Sequence, residues 1–156
     1  KEYLKESQTF TEVRDSFNRV QAAADKPSPA GDLSLIFAYM KMLDPRSVVR
    51  ESEFRVAETA RPLLERAGIS WNRIQSVWEG KKLTDGQRAD FVNRAQGLFR
   101  QQEQSQDSIT KEFRRLAASS GLDPDKVIVD LKGKEGANLK TPTKTGPKIL
   151  SIERIP

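Results

Sequence analysis

Apolar residues recur at three- and four-residue spacing along most of this chain, the period of an amphipathic helix rather than a strand. Phe10, Val13, Phe17, Val20 and Ala24 make the first stripe. Ser7 or Thr9 is placed to cap its start, and Glu12 stands three residues after Thr9, the spacing of a capping box. The run Lys26-Pro27-Ser28-Pro29-Ala30-Gly31 breaks that helix, and Ser28-Pro29 reads as the cap and first residue of the next. The second helix carries Leu33, Leu35, Ile36, Phe37, Tyr39, Met40, Met42 and Leu43 on all sides, with Lys41 the lone charge among them. A helix apolar all round belongs inside a bundle or an assembly. Asp44-Pro45 ends it, because the residue before a proline avoids the helical region.

A shorter segment over residues 48–60 carries Val48, Val49, Phe54 and Val56. Pro62 interrupts or restarts the helix, and Gly68 terminates the turn around Leu63-Leu64. Ser70 then caps a segment bearing Trp71, Ile74 and Trp78, which stops at Gly80. Thr84 and Gln87 have capping-box spacing and open the longest element, residues 84–119, about 54 Å if it is one helix. Phe91, Ala95, Leu98, Gln102, Ser105, Ile109, Glu112 or Phe113, and Leu116 mark its stripe at roughly seven-residue spacing. The middle, residues 101–107, is polar on every side, which predicts that it bridges solvent, bends back or meets another subunit. Gly121 reads as the closing cap, Asp123-Pro124 starts one more turn, and Val127-Ile128-Val129 packs back on the bundle. There is no internal repeat.

At residue 132 the texture changes. Glycines, prolines and scattered lysines replace the helical period, the pattern of an extended or disordered tail. Through residue 131 there are 21 Lys and Arg against 20 Asp and Glu; beyond it there are six against two. The sequence pI of about 9.6 is therefore a property of the tail rather than of the body. Lys132, Lys134, Lys140, Lys144 and Lys148 are candidate phosphate contacts, suited to non-specific and salt-sensitive attachment to DNA. Ile149, Leu150 and Ile152 form a strand-like apolar patch and are candidates for docking on a partner, as a strand added to its sheet. Two units follow from this: a helical bundle over residues 1–131 and an extended basic tail over 132–156.

The chain contains neither Cys nor His, so thiolate nucleophiles, disulfides, histidine bases and Cys- or His-based metal sites are excluded within it. No Gly-rich phosphate loop and no cluster of carboxylates at ligand spacing stands out, and nothing points to a cofactor or a small-molecule substrate. No run approaches the ~20 apolar residues of a membrane-spanning helix. The first residue is Lys1 rather than Met, which leads us to expect residues upstream. Trp71, Trp78 and Tyr39 are candidate stacking platforms, but the seven-residue spacing of the tryptophans is that of core residues on one helical face. Lys81, Lys82 and Arg88 are interleaved with Asp85 and Asp90 and read as a solvated face.

The block Gly31-Asp32, Phe37, Met40-Lys41-Met42-Leu43-Asp44-Pro45, Ser47-Val48-Val49-Arg50-Glu51-Ser52-Glu53-Phe54 is similar to one found in phage and prophage proteins. There it precedes a helix opening like Leu83-Thr84, Gln87-Arg88-Ala89-Asp90-Phe91 and a turn resembling residues 121–124. The resemblance covers roughly residues 8–130 and is most specific over residues 40–54. It departs at Arg46, where a small residue is expected after Asp-Pro. Proteins of this kind are virion-associated: internal or DNA-ejection proteins of short-tailed phages and parts of tape-measure-like chains. The resemblance thus implies a virion location, a homo-oligomer and other virion structural proteins as partners.

Read physically, Asp44, Pro45, Arg50, Glu51, Glu53 and Phe54 make a structural corner in which Arg50 pairs with a carboxylate about one helical turn away. Glu51-Ser52 also resembles the Glu-Ser motif of lytic transglycosylases, but Arg50 and Arg55 flank Glu51 and would keep it ionised. The expectations are an all-α fold, a small helical bundle with one long C-terminal helix and an extended basic tail, and a non-enzymatic virion protein. A non-specific DNA-binding protein acting through the tail is the alternative, and a transglycosylase fragment the third reading.

Overall fold

The computed structural model describes residues 1–46, 58 and 61–133. Among them every regular element is a helix, so the fold is all-α: α1 (Glu2–Glu6), α2 (Gln8–Ala24), α3 (Pro29–Leu43), α4 (Arg61–Arg66), α5 (Trp71–Trp78), α6 (Asp85–Ser119) and α7 (Pro124–Val127).

The start and stop signals of the sequence act largely as their chemistry dictates. Ser28 Oγ accepts from Gly31 N at 2.9 Å, and Pro29 occupies the first turn of α3, where a missing N–H costs nothing. Thr84 and Gln87 form a reciprocal capping box at the start of α6, with Gln87 N to Thr84 Oγ1 at 3.2 Å and Thr84 N to Gln87 Oε1 at 3.1 Å. Asp44 closes α3 one residue before Pro45. At the end of α4, Gly68 takes φ +74°, Ile69 N bonds back to Leu64 O and Gly68 N to Glu65 O. The same pair of bonds, Leu122 N to Ala117 O and Gly121 N to Ala118 O, stops α6 at Gly121 with φ +69°. A left-handed residue without Cβ lets the backbone satisfy its own last carbonyls.

Structure and expectation differ at two helix starts and along one buried stripe. Neither Ser7 nor Thr9 caps α2 through its side chain; α1 precedes it, and Ser7 sits at the joint with its hydroxyl turned to another helix. Ser70 precedes α5 without a side-chain cap bond. The buried stripe of α6 also differs, running Arg88, Phe91, Ala95, Phe99, Gln106 and Ala117. Ser105 and Leu116, expected in it, are exposed. A strict seven-residue repeat drifts by about 20° per heptad against a straight 3.6-residue helix. Over the length of α6 that drift carries the true stripe onto the next residue along.

Packing follows the stripes. Helix α2 lies along both α3 and α6, α3 also contacts α5 and α6, and the far half of α6 is covered by α1 and α7. Seven residues of α3, namely Leu35, Ile36, Phe37, Ala38, Tyr39, Met40 and Met42, are buried, as its all-round apolar pattern requires. Phe17 stacks on Phe99 with centroids 4.7 Å apart, and Tyr39 meets Phe91 edge-on at 5.4 Å. Trp78 packs edge-on against Phe37 at 6.1 Å, and both tryptophans lie half-buried against the core. The polar middle of α6 stays helical and has one covered side: Gln106 is buried beneath α1 and the start of α2, while Gln101, Gln104, Ser105 and Asp107 face solvent as the polar pattern predicts. No helix among the described residues is long and apolar enough to cross a membrane.

Candidate functional site

Two polar constellations interrupt the apolar interior. The first joins the starts of α3 and α6. Asp32, in the first turn of α3, has no exposed surface, and Arg88, in the first turn of α6, retains 6%. Arg88 Nε donates to Asp32 Oδ1 at 2.9 Å and Nη2 to Oδ2 at 3.0 Å, a fork-on-fork pairing. Leu83 N donates to Asp32 Oδ2 at 2.8 Å, Arg88 Nη2 also reaches Leu83 O at 3.2 Å, and Nη1 reaches Asp85 Oδ1 at 3.0 Å. Each charge is thus matched and its remaining donors or acceptors are largely occupied, which is what burial of an ion pair demands. Placing Asp32 at a helix N-terminus adds a favourable dipole. A shallow cleft of about 320 Å³ is lined by Arg88 itself and Asp85, together with Ala24, Pro27, Ala89, Val92 and Asn93. The pair is a clamp between helices. With both groups engaged, it offers no free donor fork to an anion.

The second constellation lies halfway along α6. Gln106 is 2% exposed, and its Nε2 faces Ser7 Oγ at 2.8 Å, Tyr3 Oη at 3.2 Å and Thr110 Oγ1 at 3.4 Å. Among the described residues Gln106 Oε1 has no hydrogen-bond partner. Tyr3 Oη donates to Val129 O at 3.3 Å, and its ring meets Phe113 edge-on at 5.4 Å. These hydroxyls bond to an amide, to one another and to a backbone carbonyl, none of which accepts a proton near neutral pH. The network fixes the positions of α1, the start of α2 and the middle of α6 relative to one another.

Over this network runs an extended strap, residues 128–132, leaving α7 at Ile128 with φ −100° and ψ 132°. It touches three helices in turn. Val129 O accepts from Tyr3 of α1, Leu131 O accepts from Arg14 of α2, and Lys132 Nζ lies 2.8 Å from Asp107 Oδ1 of α6. The hydrogen bond to Asp107 raises the Lys132 ammonium above its ordinary pKa of 10.5, and the charges of Asp107, Glu103 and Asp130 add to it. Between strap and helix lies a cleft of about 500 Å³ lined by Tyr3, Gln106, Thr110, Arg114 and Asp125 among others. Elsewhere, burial raises the Tyr39 phenol above its ordinary value of 10.0; the Arg94 charge opposes this and Asp90 adds to it.

Of the residues singled out in the sequence, Asp44 and Pro45 lie at the exposed end of α3, and Asp44 N bonds to Met40 O at 3.1 Å. Arg50, Glu51, Glu53 and Phe54 lie outside the described residues, as do Lys134, Lys140, Lys144, Lys148, Ile149, Leu150 and Ile152. Lys132, a candidate phosphate contact, is held by Asp107. Arg88 corrects the reading of a solvated basic face: it is the buried partner of Asp32. Its position in the stripe, three residues before Phe91 and seven before Ala95, was the available signal. For Gln106 the signal was its place on that stripe with Ala95, Phe99 and Ala117. Tyr3, Arg14 and Asp107 gave none, since their partners are more than a hundred residues away or on the strap. Among the described residues no three Asp or Glu are grouped closely enough to hold a metal ion. No known protein family matches the chain, and neither a characterised protein nor a solved structure is significantly similar to it.

Proposed function

We propose that the chain is a structural component of a bacteriophage particle, internal or tail-associated and of the DNA-ejection type, which oligomerises and contacts other virion proteins. The resemblance over residues 8–130 suggests the setting. One structural observation carries the assembly role. The exposed large hydrophobics of the described chain are Leu4, Leu116, Leu122 and Val129. All four belong to α1, the end of α6 and its following turn, and the strap, segments that lie along the second half of the long helix. Apolar side chains exposed along one part of a folded body favour a protein–protein contact there. The lysine-bearing sequence beyond residue 131 and its apolar residues Ile149, Leu150 and Ile152 would add a second point of attachment. Tail lysines supply the alternative reading of non-specific DNA binding, on the strength of the six-to-two charge excess beyond residue 131.

Immunogold labelling of purified particles with an antibody to residues 1–131, before and after triggered DNA release, tests the proposal. Label that is exposed or lost only on release marks an internal or ejected protein, and label at a fixed site on intact particles marks an external component. Absence of label in both states rejects a virion role. Salt-sensitive DNA binding that disappears with residues 132–156 would then favour the alternative.

A further inference from the structure

We propose that residues 128–132 are a releasable strap, which opens when the Lys132–Asp107 ion pair is lost and loosens α1 from α6 while the Asp32–Arg88 clamp holds the rest of the bundle. Four observations lead there. The strap is fastened mainly through polar contacts at its edges, to Tyr3, Arg14 and Asp107. Its end fastening is an ion pair whose side chains are 43% and 52% exposed, the kind that contributes little and is screened by salt. Its apolar grip is concentrated in Leu131, which packs partly buried against the core, while Ile128 is only partly buried and Val129 is half exposed. What lies beneath is a cleft of mixed lining, with Gln106, Asp107 and Thr110 beside Tyr3, rather than a wholly apolar seat, so only part of what lifting the strap uncovers is disfavoured by water.

The Gln106 carbonyl tilts the balance further. Gln106 lines the same cleft as the strap and its buried oxygen has no partner among the described residues, so an opening that admits water there gains a hydrogen bond. Opening also removes the carbonyl to which Tyr3 donates, and Tyr3 is the buried side chain by which α1 is anchored on α6. Losing that carbonyl leaves Tyr3 held by Thr110, Gln106 and Phe113 of α6, so α1 loosens with the strap rather than leaving the helix. Away from the strap, the stacked Phe17 and Phe99 hold α2 to α6, and Asp32 with Arg88 holds α3 to α6.

Hydrogen exchange of the full chain tests this by comparing wild type, Lys132→Glu and the charge-swapped pair Lys132→Glu with Asp107→Lys. Glutamate at position 132 faces Glu103, Asp107 and Asp130, so amides in residues 5–11 should exchange about fivefold faster, the factor a surface ion pair supplies. Amides of residues 35–42 and 91–99 should keep their wild-type rates. Raising salt should reproduce the effect in wild type, and the swapped pair should reverse it. Because the chain has no native cysteine, Asp107→Cys with Lys132→Cys joined by a short bifunctional thiol crosslinker, which restores the reach of the replaced lysine, locks the strap and should abolish the salt effect. Unchanged exchange at residues 5–11 in Lys132→Glu, equal loosening of residues 91–99, or salt sensitivity that survives the lock would each overturn the proposal.

Discussion

Arg88 and Asp32 meet as a two-point ion pair across 56 residues of chain, with Nε 2.9 Å from Oδ1 and Nη2 3.0 Å from Oδ2. Neither side chain retains appreciable contact with water. Removing one partner strands the other charge in the core. Asp32→Asn or Arg88→Met should each cost about 3–5 kcal/mol, whereas Asp32→Leu combined with Arg88→Met should recover much of that loss. Urea unfolding followed by circular dichroism measures all three; additive losses in the double variant would contradict the pairing.

Gly31 and Gly97 should respond to alanine in opposite directions. A Cβ at Gly31 would lie 2.5 Å from the Lys26 carbonyl oxygen, a backbone atom that cannot move aside. Gly31→Ala should therefore destabilise by about 1–3 kcal/mol. A Cβ at Gly97 meets nothing within 4 Å, on an exposed face inside α6. Gly97→Ala should stabilise by about 0.5–1 kcal/mol through the lower entropy of the unfolded chain. Shifts of the unfolding midpoint in opposite directions are the expected result.

Gln106→Leu exchanges an amide for an isosteric apolar group and leaves the buried Ser7 hydroxyl without its 2.8 Å partner. The cost should be about 1–3 kcal/mol, and adding Ser7→Ala should return part of it. A double variant less stable than Gln106→Leu alone would show that the hydroxyl bonds elsewhere.

Alkaline pH should weaken the fold. Tyr39 and Lys132 both bind their protons more tightly in the folded chain than their ordinary values of 10.0 and 10.5. Each contribution is complete below the unfolded value and is lost as pH rises through the raised folded value. Stability should therefore be insensitive to these two groups below pH 10 and fall above it. Phenolate absorbance measured beside circular dichroism, with Tyr39→Phe as the control, assigns the tyrosine share of that loss.

The helices were legible because their boundaries are written in local chemistry. Ser28-Pro29, Thr84 with Gln87, Asp44-Pro45 and Gly68 each act within a few residues of themselves. Phe10, Val13, Phe17 and Val20 kept the period predicted for them, because a helix with one dry side has only one way to face the core. The polar interior was hidden for the opposite reason. Arg88 stands among charged neighbours and Gln106 in a polar run, so each resembles surface until the distant Asp32 or Ser7 is brought to it. A five-residue helix such as α1 carries almost no periodic signal, since its stability comes from Tyr3 docking rather than from its own sequence.

The turns that stop α4 and α6 place different demands on neighbouring positions. At each, the backbone closes the helix with its own two bonds, and only the glycine is conformationally special. A saturation library across residues 66–68 and 119–121 should consequently be intolerant at Gly68 and Gly121, where asparagine is the best-accepted replacement, and permissive at the exposed residues beside them. Such corners let the surface of the chain diverge in sequence while its path through space stays the same.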